Sequence, residues 1–242
     1  MQLALVDALG SLVAELGGGS PLYVQEGTDL HVLSGAISAL AQRGLLDVGG
    51  GSFWPQARGA RVVIDELFGD WLRPYQLRLA AEGLEAFMGR GILKAPTGSG
   101  KTRILTAIIV AGRRAGIRKW VVSAPNKELL RQLSETLVPR IGRGIEDVYC
   151  ATMTELACRR GKIVADGYLT DECHRIGART YALGASRVSA CWRLGLSATP
   201  LDRGEQNALV VGLLGPVVAE VKREELVDAG FLSPGVVKRV LL

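Results

Sequence analysis

At 242 residues, with a 48% hydrophobic share and a net charge of +5, the chain can build one large domain, or one domain with a smaller attachment, around a packed core. Its longest apolar runs, such as "ILTAIIVAG", fall far short of the roughly 20 residues a membrane span needs, and the N-terminus carries Asp7 and no basic flank, which argues against a secretory signal. Four cysteines without C-x-x-C spacing speak against a disulfide framework or a zinc site; reduced, mostly buried thiols in a cytoplasmic protein are expected.

The charge is uneven. Residues 1–70 carry three arginines and eight acids, net −5, whereas the remainder carries 26 basic and 16 acidic side chains, net +10. A basic main part favours a polyanionic partner, with a generally basic surface as the alternative. The acidic part is not expected to be the main grip on nucleic acid.

In chain order, residues 2–16 predict a short amphipathic helix ended by "GGGSP". "DLHVLSGAISALAQRGLL" (29–46) reads as a helix with Asp29 as its N-cap, and "DVGGGSFWPQARGARVVIDEL" as a turn, a short strand, a loop and the strand "ARVVID". Together these predict a small α+β accessory module over residues 1–70. "FGDWLRPYQ" (68–76) marks its boundary, because Pro74 prevents an unbroken helix.

From residue 71 to 242 the pattern alternates. "GILKA", "KWVVSAP", "DVYCAT", "ADGYLTDE" and "CWRLGLSATP" read as strands, separated by helical stretches such as "GKTRILTAIIVAGRRAG" and "NKELLRQLSETLVPRI". Such alternation predicts βαβ units and an α/β fold, a parallel sheet covered by helices on both faces. Ligands then collect at the carboxyl ends of the strands, where every motif below falls. The tryptophans at 54, 71, 120 and 192 are expected in the core or at hinges rather than as base-stacking platforms.

"LKAPTGSGKTR" follows the first of these strands and opens a helix. It matches G-x-x-x-x-G-K-[ST] except at the first position, where Ala95 stands. Pro96, Thr97, Gly98, Ser99 and Gly100 can wrap a phosphate with inward N–H groups, and the helix N-terminus adds positive charge. Lys101 would reach the β/γ-phosphates and the Thr102 hydroxyl would ligate Mg²⁺. In "YLTDECHR", Asp171 ends an apolar strand and has the place of the acid that holds Mg²⁺, while Glu172 has the general-base role. A charged helix start would account for the acids but not for their place 70 residues past Lys101.

These residues, with others in fixed order, resemble superfamily 2 helicases of the D-E-x-H branch, of the XPB-like and phage UvsW-type flavour. "LRPYQ" resembles the Q-motif region, "VVSAPNKELLRQ" motif Ia, "CATMTEL" a later nucleic-acid-contact motif, "DECH" motif II and "LGLSATP" motif III. The resemblance covers about residues 71–242 and implies a P-loop, RecA-like motor domain. It implies that Gln76 reads adenine, with Arg73 and Tyr75 beside it, and that His174, Ser197 and Thr199 couple the nucleotide to domain motion. Pro125, Asn126, Arg131, Gln132 and Thr152 would lie near a nucleic-acid backbone; for Arg131 and Gln132 a solvated helix face is an equal alternative.

The resemblance implies ATP and Mg²⁺ as cofactors, and DNA rather than RNA as the partner. Such helicases need a second RecA-like domain with motifs IV to VI, and no Q-x-x-G-R-x-x-R segment occurs here. The expectation is a half-motor, completed in trans or by sequence beyond this chain. The alternatives are a non-catalytic, nucleotide-gated binding module and the motor half of a restriction-type translocase.

Overall fold

The apolar runs that follow residue 90 assemble into one six-stranded sheet. The computed structural model describes residues 2–18, 22–26, 29–43, 45, 60–142 and 144–234. The sheet comprises β3 (Arg90–Lys94), β4 (Trp120–Ala124), β5 (Val148–Thr152), β6 (Ile163–Asp171), β7 (Val188–Ser197) and β8 (Val217–Glu220), and a separate hairpin pairs β1 (Tyr23–Glu26) with β2 (Asp29–Val32). The strand order is β5-β4-β6-β7-β3-β8, and every pair in it is parallel.

Period-two alternation sorts the side chains of each strand onto two buried faces. Leu93, Val122, Leu169 and Leu194 face one cluster, built with α3 (Ala60–Phe68), α4 (Pro74–Leu84), α5 (Lys101–Arg114), α6 (Lys127–Ile141) and α10 (Arg223–Asp228). Ile92, Val121 and Tyr168 face the other, built with α7 (Met153–Cys158), α8 (Arg179–Ser186) and α9 (Asn207–Leu214). The expected α/β architecture, a RecA-like sheet with helices on both faces, is therefore present. Trp120 and Trp192 are buried in it, as expected. Trp71 is half-buried and stacks against Arg140, 3.4 Å from its ring centre. Trp54 and the expected short strand among residues 46–59 lie outside the described residues.

The small α+β element precedes this core. Helix α1 (Gln2–Glu15) forms as expected, and α2 (Ser34–Gln42) follows the hairpin. Two expectations fail here. Residues 29–32 form β2, not the start of a helix: Leu30 pairs with Gln25 and Val32 with Tyr23, and Leu33, not Asp29, takes the N-cap position of α2. "ARVVID" is helical, not a strand. Its β-branched run suggests a strand, but Ala60, Ile64 and Phe68 recur at four-residue spacing and bury one stripe in the main core. Tertiary burial overrides local propensity.

Leu9, Leu12, Leu22, Ala36 and Leu40 of the accessory element share a third apolar cluster with Ala208 and Val211 of α9. The approach is close: a Cβ on Gly35 would lie 2.2 Å from the carbonyl oxygen of Val211. All four cysteines are free, but only Cys173 is buried. Cys158 and Cys191 are exposed, contrary to expectation, because one ends a short helix and the other points outward on β7. Among the described residues no helix is long and apolar enough to cross a membrane.

Candidate functional site

Strand β3 ends at Lys94, and Ala95 is still fully buried, its N–H donating to the Ser197 carbonyl at 3.0 Å. The small side chain at this position is what the close neighbour strand admits. The loop then turns through Gly98 and Gly100, at φ +85° and +77°, a region that favours glycine. Gly100 is the residue before α5, so the Lys101 and Thr102 amides open the helix. An anion held there meets both free N–H groups and the helix dipole.

Two side chains of α4 brace the loop from behind. The Tyr75 hydroxyl and the Gln76 Nε2 both donate to the Ser99 carbonyl, each at 2.7 Å. The Gln76 Oε1 in turn accepts from the Arg73 N–H at 2.9 Å, which closes the start of α4. Gln76 is buried and packs within 2.5 Å of where a Gly100 Cβ would sit. Arg73 stacks on Phe231 and donates to its carbonyl. Arg73, Gln76, Gly98, Ser99, Gly100 and Arg103 line a cleft of about 190 Å³. Arg103 was not singled out by the sequence; its place one turn into α5 is the signal that could have found it.

The acids lie opposite. Glu172 sits just past β6 in a left-handed conformation, φ 51° and ψ 48°, which costs a non-glycine residue on the order of 1–2 kcal/mol. This turn aims its carboxylate at the loop, 3.1 Å from the Lys101 ammonium. Its other oxygen lies 3.3 Å from His174 Nδ1. The same ring nitrogen lies 2.8 Å from the Ser197 hydroxyl, which also accepts from the Thr199 N–H at 3.2 Å. Burial lowers the His174 pKa against the pull of Glu172. Asp171 accepts the Glu172 N–H at 2.9 Å. Burial raises its pKa, with Lys101 opposing and Glu172 reinforcing the shift.

The oxygen donors fit Mg²⁺, a hard cation that takes a carboxylate and a hydroxyl together with phosphate oxygens. Asp171 and Thr102 would supply these, and in the same loop the buried Ser99 hydroxyl has no partner among the described residues.

Of the residues expected near nucleic acid, Pro125, Asn126 and Thr152 stand at the carboxyl ends of β4 and β5, whose last residues Ala124 and Thr152 are register partners. Asn126 caps α6 by accepting from the Leu129 N–H at 2.9 Å, and Thr152 caps α7 through Glu155. Arg131 and Gln132 lie elsewhere, on the outer face of α6. Arg131 is engaged by Glu128 and Glu135 of its own helix, and Gln132 bonds Glu128. Bonds from Arg131, then Gln132, hold the Glu128 carboxyl down to about 2.

Residues 71–155 match the family described as type III restriction enzyme, res subunit. The chain is similar to the DNA 3'-5' translocase XPB2 of Sulfurisphaera tokodaii, 28% identical over 169 residues, which are 64% of this chain and 37% of that protein. It thus spans about a third of the length of that curated relative. Its fold is similar to the UvsW helicase of bacteriophage T4: TM-score 0.60 and 16% identity over 83% of this chain and 82% of that one. A second T4 UvsW structure aligns at TM-score 0.54 and 17% identity, over 77% and 44% of the two chains. The chain thus has a RecA-like parallel-sheet fold similar to the UvsW helicase structures, and its residues 71–155 are similar to the type III restriction res-subunit family.

Proposed function

We propose that the chain is the ATP-binding half of a superfamily 2 DNA translocase or helicase, which hydrolyses ATP with a second RecA-like domain to move on or remodel DNA. The observation that carries this reading is the continuous contact from Lys101 through Glu172 and His174 to Ser197. It links the phosphate loop to a turn at the end of β7, so a change of charge at the loop reaches the strand-end surface.

In this reading the turn at Pro96–Thr102 holds the triphosphate by its N–H groups, and Lys101 leaves Glu172 for the β/γ-phosphates. Glu172 then orients the attacking water and accepts its proton. Mg²⁺, held with Thr102 and Asp171, would neutralise charge on the phosphate oxygens. Arg73 and Arg103 border the cleft beside the loop, and Gln76 holds the loop in shape while bordering the same cleft. Once Glu172 turns to the water, His174 keeps its bond to Ser197 and reports the change to Thr199. Pro125, Asn126 and Thr152 offer a DNA backbone the strand-end surface. Arg131 and Gln132 would join them only by leaving the carboxylates of α6.

DNA-stimulated ATP hydrolysis in the presence of a second RecA-like domain tests the assignment. Glu172→Gln should retain ATP binding and lose turnover, because an amide cannot accept the proton. Equal turnover by wild type and variant would overturn it.

A further inference from the structure

Helix α10 ends in a tight reversal. The Gly230 N–H donates to the Val227 carbonyl at 2.9 Å and the Phe231 N–H to the Leu226 carbonyl at 2.7 Å, with Gly230 at φ +72°. This left-handed close, which favours glycine, sets the next residue in a defined place beside the helix. Leu226 is buried in the main core, so the reversal carries Phe231 and Leu232 back onto that core. The Leu232 N–H also donates to the Leu226 carbonyl, at 2.9 Å, and Arg223 donates to the Ser233 carbonyl at 3.3 Å. Residues 231–233 are thus held by α10 along one side.

Their other side meets the phosphate loop and its brace. A Cβ on Gly98 would lie 3.0 Å from Leu232 Cδ2. The Phe231 ring centre lies 5.5 Å from that of Tyr75, whose hydroxyl holds the Ser99 carbonyl. The Arg73 guanidinium stands over the same phenyl ring, 4.6 Å from its centre, and donates to the Phe231 carbonyl at 3.3 Å. Ring and carbonyl of one residue therefore both hold it. Among the described residues Arg73 forms no ion pair. Arg73 lines the cleft of about 190 Å³ beside the loop, whereas Phe231 does not. The phenyl ring thus backs a guanidinium that borders the cleft.

We propose that Phe231 is a positioning residue of the nucleotide site: it holds the Arg73 guanidinium as a fixed planar wall of the cleft, on which the base of a bound nucleoside triphosphate stacks. A guanidinium is attracted to an aromatic face and lies flat on planar groups. With one face backed by Phe231, the other is left for the base. Without the ring, Arg73 is a long side chain whose rotamer freedom must be lost on binding. The phosphates, held by the loop and Lys101, do not sense this difference; the base does. The proposal rests on the reading of the loop as an ATP site, and adds to it a residue 158 positions from Arg73.

The test is titration of the 242-residue chain with ATP and with inorganic tripolyphosphate, which carries no base. Phe231→Leu keeps an apolar side chain without a π face. It should weaken ATP binding about fivefold and leave tripolyphosphate within about twofold of wild type. Phe231→Tyr should restore the ATP affinity. In an Arg73→Ala background Phe231→Leu should cost no further affinity, because the ring acts through the guanidinium. Should Phe231→Leu fail to fold, Arg73→Lys probes the contact from its other side: it keeps the charge but not the plane, and should give the same selective loss of ATP. Unchanged ATP affinity in the variant used, an equal loss of both ligands, or an undiminished Phe231→Leu effect in the Arg73→Ala background would overturn the placement of Phe231. If ATP binding by the wild type does not depend on Lys101, the reading of the loop itself fails, and the placement of Phe231 with it.

Discussion

The Lys101 ammonium lies 3.1 Å from a Glu172 carboxylate oxygen, so in this state the proposed base occupies the lysine proposed to meet the phosphates. The pair is largely sheltered, with 10% and 26% side-chain exposure. Breaking it opposes ATP binding by about 1 kcal/mol, or roughly fivefold in affinity. Glu172→Gln should therefore bind ATP about fivefold more tightly as well as failing to turn it over. Lys101→Ala should lose binding altogether. Titration with a fluorescent ATP analogue separates the two; weaker binding by Glu172→Gln would show that the pair does not compete with the nucleotide.

Gly100 has φ +77°, and a Cβ there would lie 2.5 Å from Gln76 Nε2. Gly100→Ala must both strain the backbone and displace the amide that holds the Ser99 carbonyl. The expected cost is about 1–2 kcal/mol of stability, with a larger proportional loss of nucleotide affinity. Gln76→Ala should lose affinity without the backbone strain. Urea unfolding and nucleotide titration of the two variants check this; wild-type affinity in both would remove Gln76 as the brace of the loop.

Ser197 is fully buried and its hydroxyl meets His174 Nδ1 and the Thr199 N–H. Ser197→Ala leaves both groups without that partner, at a cost of about 1–3 kcal/mol. ATP affinity should change little, whereas DNA stimulation of hydrolysis by the completed motor should fall at least tenfold. If stimulation survives, the His174–Ser197 contact holds the fold only.

The five strands from β3 to β7 were legible because each is a short apolar run closed by Gly, Pro or a polar turn, the pattern of strands buried on both faces. β2 and α3 were not. In "DLHVLSG" four residues are too few to separate a strand from a helix, and in "ARVVIDELF" the β-branched run masked a stripe at Ala60, Ile64 and Phe68 that only the packed core reveals. The loop and the acids could be found from motif spacing. The Lys101–Glu172 pair could not, since it depends on the left-handed turn at Glu172.

The fold predicts unequal effects of two truncations. Helix α3 contributes Ile64 and Phe68 to the main core, whereas α1, the hairpin and α2 pack on α9. A chain starting at Ala60 should keep a cooperative melting transition. One starting at Trp71 should be less stable by several kcal/mol, since losing a buried Ile or Phe typically costs about 2–5 kcal/mol each. Equal melting of the two would show that α3 contributes nothing to the core.

The most direct test of the half-motor account is the rate of ATP hydrolysis by this 242-residue chain, alone and with a separate polypeptide carrying a second RecA-like domain, each with duplex DNA. In the proposed reading this chain supplies the loop and the base, while the arginines such motors use to neutralise the transition state would come from the other domain; an arginine finger is worth about 10³–10⁵ in rate. The account predicts hydrolysis near background for the chain alone and a rise of at least about a thousandfold on adding the second domain. Robust, DNA-stimulated turnover by the monomeric chain alone would contradict it, and Arg203, just past the Ser197–Thr199 turn, would then be the first residue to replace.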